Sequence, residues 1–187
     1  GIGLEMGMTV SMIEQAVQSV ANVPGRFERI NEGQPFTVVV DYAHTEDALY
    51  RLLRAAQAIS KGRIITVFGC GGDRDPGKRP KMGQVAARHS DVVIVTSDNP
   101  RTENPQTILT QIEQGIQTLL PEERCSYQII LDRAEAIHAA VSEAKDGDLL
   151  LIAGKGHEDY QILGTQKIHF DDREEARKAI HRQMGAR

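Results

Sequence analysis

An acid, an amide and a guanidinium stand together in Asp98-Asn99-Pro100-Arg101. An Arg fork grips a carboxylate through two parallel hydrogen bonds, and an Asp beside it can hold an ammonium. Together they suit a ligand that carries both charges, such as the free end of an amino acid. The stretch follows Val92-Val93-Ile94-Val95-Thr96, a β-branched run that reads as a buried strand. It precedes Asn104-Pro105, which reads as the N-cap and first residue of a helix. Loops at the carboxyl ends of strands are where open α/β sheets bind ligands. A capped turn with a surface Arg fits the same four residues, so the neighbouring stretches have to decide.

Three other loops have a similar character. Residues 69–79, Gly-Cys-Gly-Gly-Asp-Arg-Asp-Pro-Gly-Lys-Arg, nearly match a phosphate-binding P-loop through Gly72, Gly77 and Lys78. Arg79 stands where a Ser or Thr should hold Mg²⁺, and Pro76 removes a backbone N–H that would face phosphate. A glycine turn is a second reading of this loop. A third makes Arg74 a carboxylate clamp opposite Arg101. Gly154-Lys155-Gly156-His157-Glu158 fits an anion nest with Glu158 placed for an ammonium, or a plain strand-to-hairpin turn. His157 and Glu158 are adjacent on extended chain and so point apart, which argues against a catalytic pair. Asp41-Tyr42-Ala43-His44-Thr45 suits a nucleotide ribose or phosphate, and equally a helix capped by Thr45 beside a satisfied His44. Arg26 lies within reach of the same ligand. His89, His138, His169 and His181 share no metal-ligand spacing.

The elements that must position these loops alternate. Strands are predicted at 36–41, 63–68, 92–96, 127–131 and 148–153, with helices at 46–59, 80–89, 105–120 and after the capping pair Asp132 and Glu135. A hairpin over 160–163 and 167–170 and a helix capped by Asp171 or Asp172 complete the chain. This is an α/β pattern: a mostly parallel sheet with helices on both faces and a C-terminal hairpin. All four polar loops then follow strands and gather on one sheet edge. Residues 1–23 read as helical, with Thr9 or Ser11 as cap and Met12, Ile13, Ala16, Val17 and Val20 on one face. Val23-Pro24-Gly25-Arg26 breaks the pattern, placing a boundary between 1–24 and 25–187.

Composition narrows the function. The 22 basic and 26 acidic residues of the 187 are interspersed, with no basic stripe, which argues against nucleic acid. No apolar run approaches the roughly 20 residues of a membrane span. Two cysteines, Cys70 and Cys125, form neither a disulfide framework nor a metal motif, and free thiols suit the cytosol. The chain opens within an apolar pattern and without Met, so it reads as part of something longer.

Five stretches occur here in an order that resembles the Mur ligases: Val23-Pro24-Gly25-Arg26-Phe27-Glu28, Val40-Asp41-Tyr42-Ala43-His44-Thr45, residues 69–75, Asp98-Asn99-Pro100-Arg101 and Gly154-Lys155-Gly156-His157-Glu158. Within the family the chain is most similar to members adding meso-diaminopimelate to UDP-N-acetylmuramoyl-dipeptide. It departs at Glu46, where Pro is common. The resemblance implies a cytoplasmic three-domain enzyme of peptidoglycan precursor synthesis. This chain would be its Rossmann-like third domain, preceded in residues 1–24 by a helical piece of the central one. ATP and Mg²⁺ would be held mainly by the absent central domain, leaving no catalytic or metal residue here. Arg74, Asp98, Asn99, Pro100, Arg101, Gly154 and Glu158 would bind meso-diaminopimelate. Arg26, Asp41 and His44 would lie near the nucleotide. An L-lysine-adding ligase, a P-loop phosphotransferase and a non-catalytic binding module are the competing readings.

Overall fold

A computed structural model describes residues 2–19 and 23–185. Val20, expected on the first helical face, lies outside them. The strands are β1 (Glu28–Ile30), β2 (Thr37–Asp41), β3 (Ile64–Phe68), β4 (Val92–Val95), β5 (Ser126–Ile129), β6 (Leu149–Ala153), β7 (Tyr160–Leu163) and β8 (Gln166–His169). The helices are α1 (Ile2–Glu5), α2 (Val10–Ser19), α3 (Glu46–Ile59), α4 (Lys78–His89), α5 (Pro105–Gln117), α6 (Arg133–Glu143) and α7 (Asp172–Gly185).

Six strands form one sheet in the order β1-β2-β6-β3-β4-β5. The pairs β2–β6, β6–β3, β3–β4 and β4–β5 are parallel, and β1 runs antiparallel along the β2 edge. The expected α/β architecture is therefore the observed one, with the hairpin β7–β8 as a separate antiparallel pair. The short β1 is an addition to the expected strands. Three residues with a Glu and an Arg among them give no periodic signal.

Chain direction explains the layers. From β2 to β5 the connections all step the same way, so right-handed crossovers put α3, α4 and α5 on one face. The return from β5 to β6 puts α6 on the other face, and α7 joins it. Alternate strand residues divide accordingly. Val39, Phe68, Val93 and Leu151 pack with Leu53, Met82 and Ile112. Val38, Val67, Ile94 and Ile152 pack with Ile137, Val141 and Ile180. Both faces being covered is why β2, β3, β4 and β6 read as unbroken apolar runs.

Caps fix where the helices start. Thr45, Asn104 and Asp132 side chains accept the N–H groups of Ala48, Gln106 and Glu135. Asp171 accepts from the N–H of Arg173, at the entry to α7. At the start of the chain, Thr9 Oγ1 accepts from Met12 N–H, and Gly7 at φ +80° separates α1 from α2 where one helix was expected. Cys70 is buried where β3 gives way to its loop. Its Sγ lies 3.7 Å from Met82 Sδ, and burial pushes the thiol up to about 12.

Candidate functional site

The four polar loops do meet. Residues from all of them line a cleft of about 450 Å³ at the carboxyl ends of the strands. His44, Arg74, Asp98, Asn99, Arg101, Gly154 and Glu158 are on its wall. Pro100 faces a different depression, shared with Leu131 and Leu163. Asp41 and Arg26 lie outside the lining. Both Asp41 oxygens accept backbone N–H groups, from Phe27 and Ala43, each at 2.8 Å. Arg26 lays its guanidinium over the Tyr42 ring, 4.4 Å from the centroid, a cation–π contact. The His157 ring lies against Tyr42, with ring centroids 5.3 Å apart.

The 98–101 loop is held from behind by the hairpin. Arg101 N–H donates to Ile162 O at 3.1 Å, and Gly164 N–H donates to Arg101 O at 2.8 Å. Ile162 N–H donates to Asn99 Oδ1 at 3.0 Å, and Gln161 Nε2 donates to Asp98 O at 2.7 Å. This clamp holds Arg101 at φ +52°, a backbone region costly to a side-chain-bearing residue. The loop presents the Arg101 guanidinium to the cleft, where Nη1 donates to Gly72 O at 2.7 Å.

The 69–79 loop packs directly on this one. Gly72 N–H donates to Asn99 O at 2.8 Å, and a Cβ on Gly72 would sit 1.9 Å from Pro100 O. Only glycine fits that approach. A Cβ on Gly71 would lie 3.0 Å from Arg101 Nη1 and 3.9 Å from Arg74 Cγ, so the two Arg side chains flank the same glycine. The geometry argues against the P-loop reading. The N–H groups of Gly72, Asp73, Gly77 and Arg79 are taken by Asn99 O, Glu103, Asp75 and Pro76 O, so four of the loop's amides are turned to the protein and not to a phosphate. Arg79 is 1% exposed and donates to Glu103, Gln111 and Gly71 O. It is a brace under the loop, and Lys78 donates to His44 O.

Asp98 and Glu158 supply the acids, and between them lies a residue that the sequence did not reveal as part of the site. Lys155 Nζ is 3.7 Å from Asp98 Oδ1, 3.6 Å from Glu158 Oε2 and 3.3 Å from Asn99 Oδ1. Asn99 Nδ2 also donates to Glu158 Oε2 at 3.0 Å. Burial lowers the Lys155 pKa, and Asp98 opposes it. Tyr42, Thr45, Asp75, Lys78 and Tyr160 also line the cleft, and of these Asp75 and Tyr160 carried no signal as ligand contacts. Among the described residues no group of three or more His, Cys, Asp or Glu side chains could hold a metal ion. No helix among them is long and apolar enough to cross a membrane.

The fold and this charged cleft define an α/β domain with its polar loops gathered at the carboxyl ends of a mostly parallel sheet. The family model "Mur ligase, glutamate ligase domain" matches residues 25–156, and the chain belongs to that family. The UDP-N-acetylmuramoyl-L-alanyl-D-glutamate–2,6-diaminopimelate ligase of Trichormus variabilis is 55% identical over 183 residues, covering 96% of this chain and 36% of that protein. The ligase of the same name from Geobacillus kaustophilus is 50% identical over 177 residues, covering 95% and 35%. A solved structure of a ligase of that name superimposes with a TM-score of 0.79 at 40% identity, covering 98% of this chain and 37% of the other. UDP-N-acetylmuramate-alanine ligase from Thermotoga maritima, 15% identical, has a TM-score of 0.66 with 100% of this chain and 36% of that one covered, and so shares the fold. The chain thus spans little more than a third of the length of the curated relatives it matches.

Proposed function

We propose that this chain is the amino-acid-docking domain of an ATP-dependent ligase that adds meso-diaminopimelate to UDP-N-acetylmuramoyl-L-alanyl-D-glutamate in the cytoplasm. The observation that carries this reading is the meeting of Arg74 and Arg101 around Gly71 with Asp98 and Glu158 in one cleft. The distal end of meso-diaminopimelate has a carboxylate for the guanidiniums and an ammonium for the acids. L-lysine offers only the ammonium and leaves the Arg forks unpaired. Sites built to bond a missing group reject the analogue by roughly 10⁴.

In the proposed reaction ATP phosphorylates the terminal carboxylate of the dipeptide substrate. The amino group of the bound amino acid attacks that acyl phosphate, the C–N bond forms, and phosphate leaves. The part played by this chain is to hold and aim the incoming amine. ATP and Mg²⁺ are assigned to the rest of the longer protein, with His44, Asp41 and Arg26 on the side that would close over the nucleotide. The engaged N–H groups of the 69–79 loop support this division, and the chain alone is expected to be inactive. Residues 1–24 are assigned to the preceding domain. The exposure of Ile2, Met6 and Val17, at 77%, 77% and 67%, supports that assignment.

The test is Arg101→Ala in the full-length enzyme. The expected result is a KM for diaminopimelate raised at least tenfold with the KM for ATP unchanged. Equal rises in both would overturn the clamp. Titrating the labelled chain with diaminopimelate and then L-lysine should shift the amides of residues 98–101 and 154–158 with the first and far less with the second.

A further inference from the structure

Lys155 is 0% exposed, and a buried charge persists only if it is paired. Its nearest partners are Asp98, Asn99 and Glu158, three residues assigned above to the ligand. The other charged groups facing it are Arg133 and Asp172, which pair with each other at 2.7 Å and cancel. The Tyr160 ring lies 5.4 Å away. The balance is one positive charge against two negative ones. The acid pair therefore has one open negative charge on the cleft side.

That balance selects a ligand by its net charge. A zwitterionic end puts its ammonium on the acid pair and its carboxylate on Arg74 and Arg101, adding no net charge. A bare ammonium leaves both guanidiniums unpaired. Without Lys155 the acid pair would carry two open negative charges, and a bare ammonium would gain on the zwitterion. Resting on the diaminopimelate reading above, we propose that Lys155 is a specificity-determining positioning residue. It is the resident counter-ion that holds Asp98 and Glu158 to one open charge, and so favours a zwitterionic ligand end over a lone ammonium.

Two measurements test this. The first is a urea-unfolding cycle on the 187-residue chain with Lys155→Met, Glu158→Gln and the double variant. If charge balance is the role, the double variant has a higher urea midpoint than Lys155→Met, because removing one acid brings the cluster back to a single open negative charge. If Lys155→Met is unfolded in buffer, a folded double variant supports the counter-ion role in the same way. Additive losses, or an unfolded double variant, would overturn it. The second compares kcat/KM for meso-diaminopimelate and L-lysine in the full-length ligase. Lys155→Met should move that ratio at least tenfold towards lysine, and Lys155→Arg should restore most of it. A parallel loss for both amino acids would overturn the specificity role. A wild-type enzyme that does not use diaminopimelate would instead overturn the ligand reading, while the urea cycle still tests the counter-ion.

Discussion

Glu103 shows how a residue outside the ligand set can govern the site. It accepts from the Arg79 guanidinium and from Asp73 N–H, tying the 69–79 loop to the chain just after Arg101. The hydrogen bond from Arg79 lowers the Glu103 pKa; burial opposes it, and the Asp73 N–H and the Arg79 charge add to the lowering. A carboxylate with a lowered folded pKa adds stability at pH values above its unfolded pKa of about 4.3. That contribution is lost as pH falls through the folded value. Glu103→Gln is therefore expected to lower the urea midpoint at pH 7 and to flatten the acid limb of stability below about pH 4.3. Unfolding curves across pH 3–7 check both, and an unchanged acid limb would remove Glu103 from this role.

The hairpin β7–β8 acts as an element on the loop it backs. Half of its link to the 98–101 loop is backbone-to-backbone hydrogen bonding, and the other half joins backbone groups to two amide side chains, Asn99 and Gln161. Gln161→Leu keeps the side-chain volume and removes the donor to Asp98 O. Leaving a buried carbonyl unsatisfied costs about 1–3 kcal/mol. Ligand affinity should fall along with stability, since Asp98 sits on that carbonyl. Calorimetric binding and urea unfolding of the same variant would show the two losses together. The hairpin was legible in the sequence, and so was the sheet through its apolar runs, because both its faces are covered. That the two would dock was not. The contact joins a main-chain segment at 98–101 to another at 160–164, and backbone hydrogen bonds leave no trace in residue types. Lys155 was hidden for a related reason. A lysine between two glycines reads as a solvated turn, and only the fold shows that its stem runs inward between two acids. The charges of Arg74, Asp98, Arg101 and Glu158 were visible because each stands in a loop directly after a strand.

At the scale of the whole molecule, the buried pair Arg133–Asp172 ties the two helices of one layer to the cleft floor. Arg133 opens α6 and Asp172 opens α7, and both are fully buried. Arg133 also donates to Ala153 O at the end of β6, at 3.0 Å, and to Ser97 O after β4. Those carbonyls immediately precede Gly154 and Asp98. Removing one partner of a buried pair costs about 3–5 kcal/mol, whereas replacing both with apolar residues is often close to neutral. Arg133→Met alone should unfold at a much lower urea concentration, and Arg133→Met with Asp172→Leu should recover most of the loss. If the double variant folds but binds diaminopimelate poorly, the pair serves the site as well as the fold.

Cys70 stands at the hinge of this arrangement, at the point where β3 hands over to the 69–79 loop. A thiol with its pKa pushed up to about 12 holds almost no thiolate at neutral pH, and burial keeps electrophiles away. It is silent while the cleft is built. Alkylation can proceed only in the moments when that loop lifts. The rate at which iodoacetamide consumes Cys70 is thus a clock for breathing of the cleft, and ligand that stitches the loops together should slow it in proportion to occupancy.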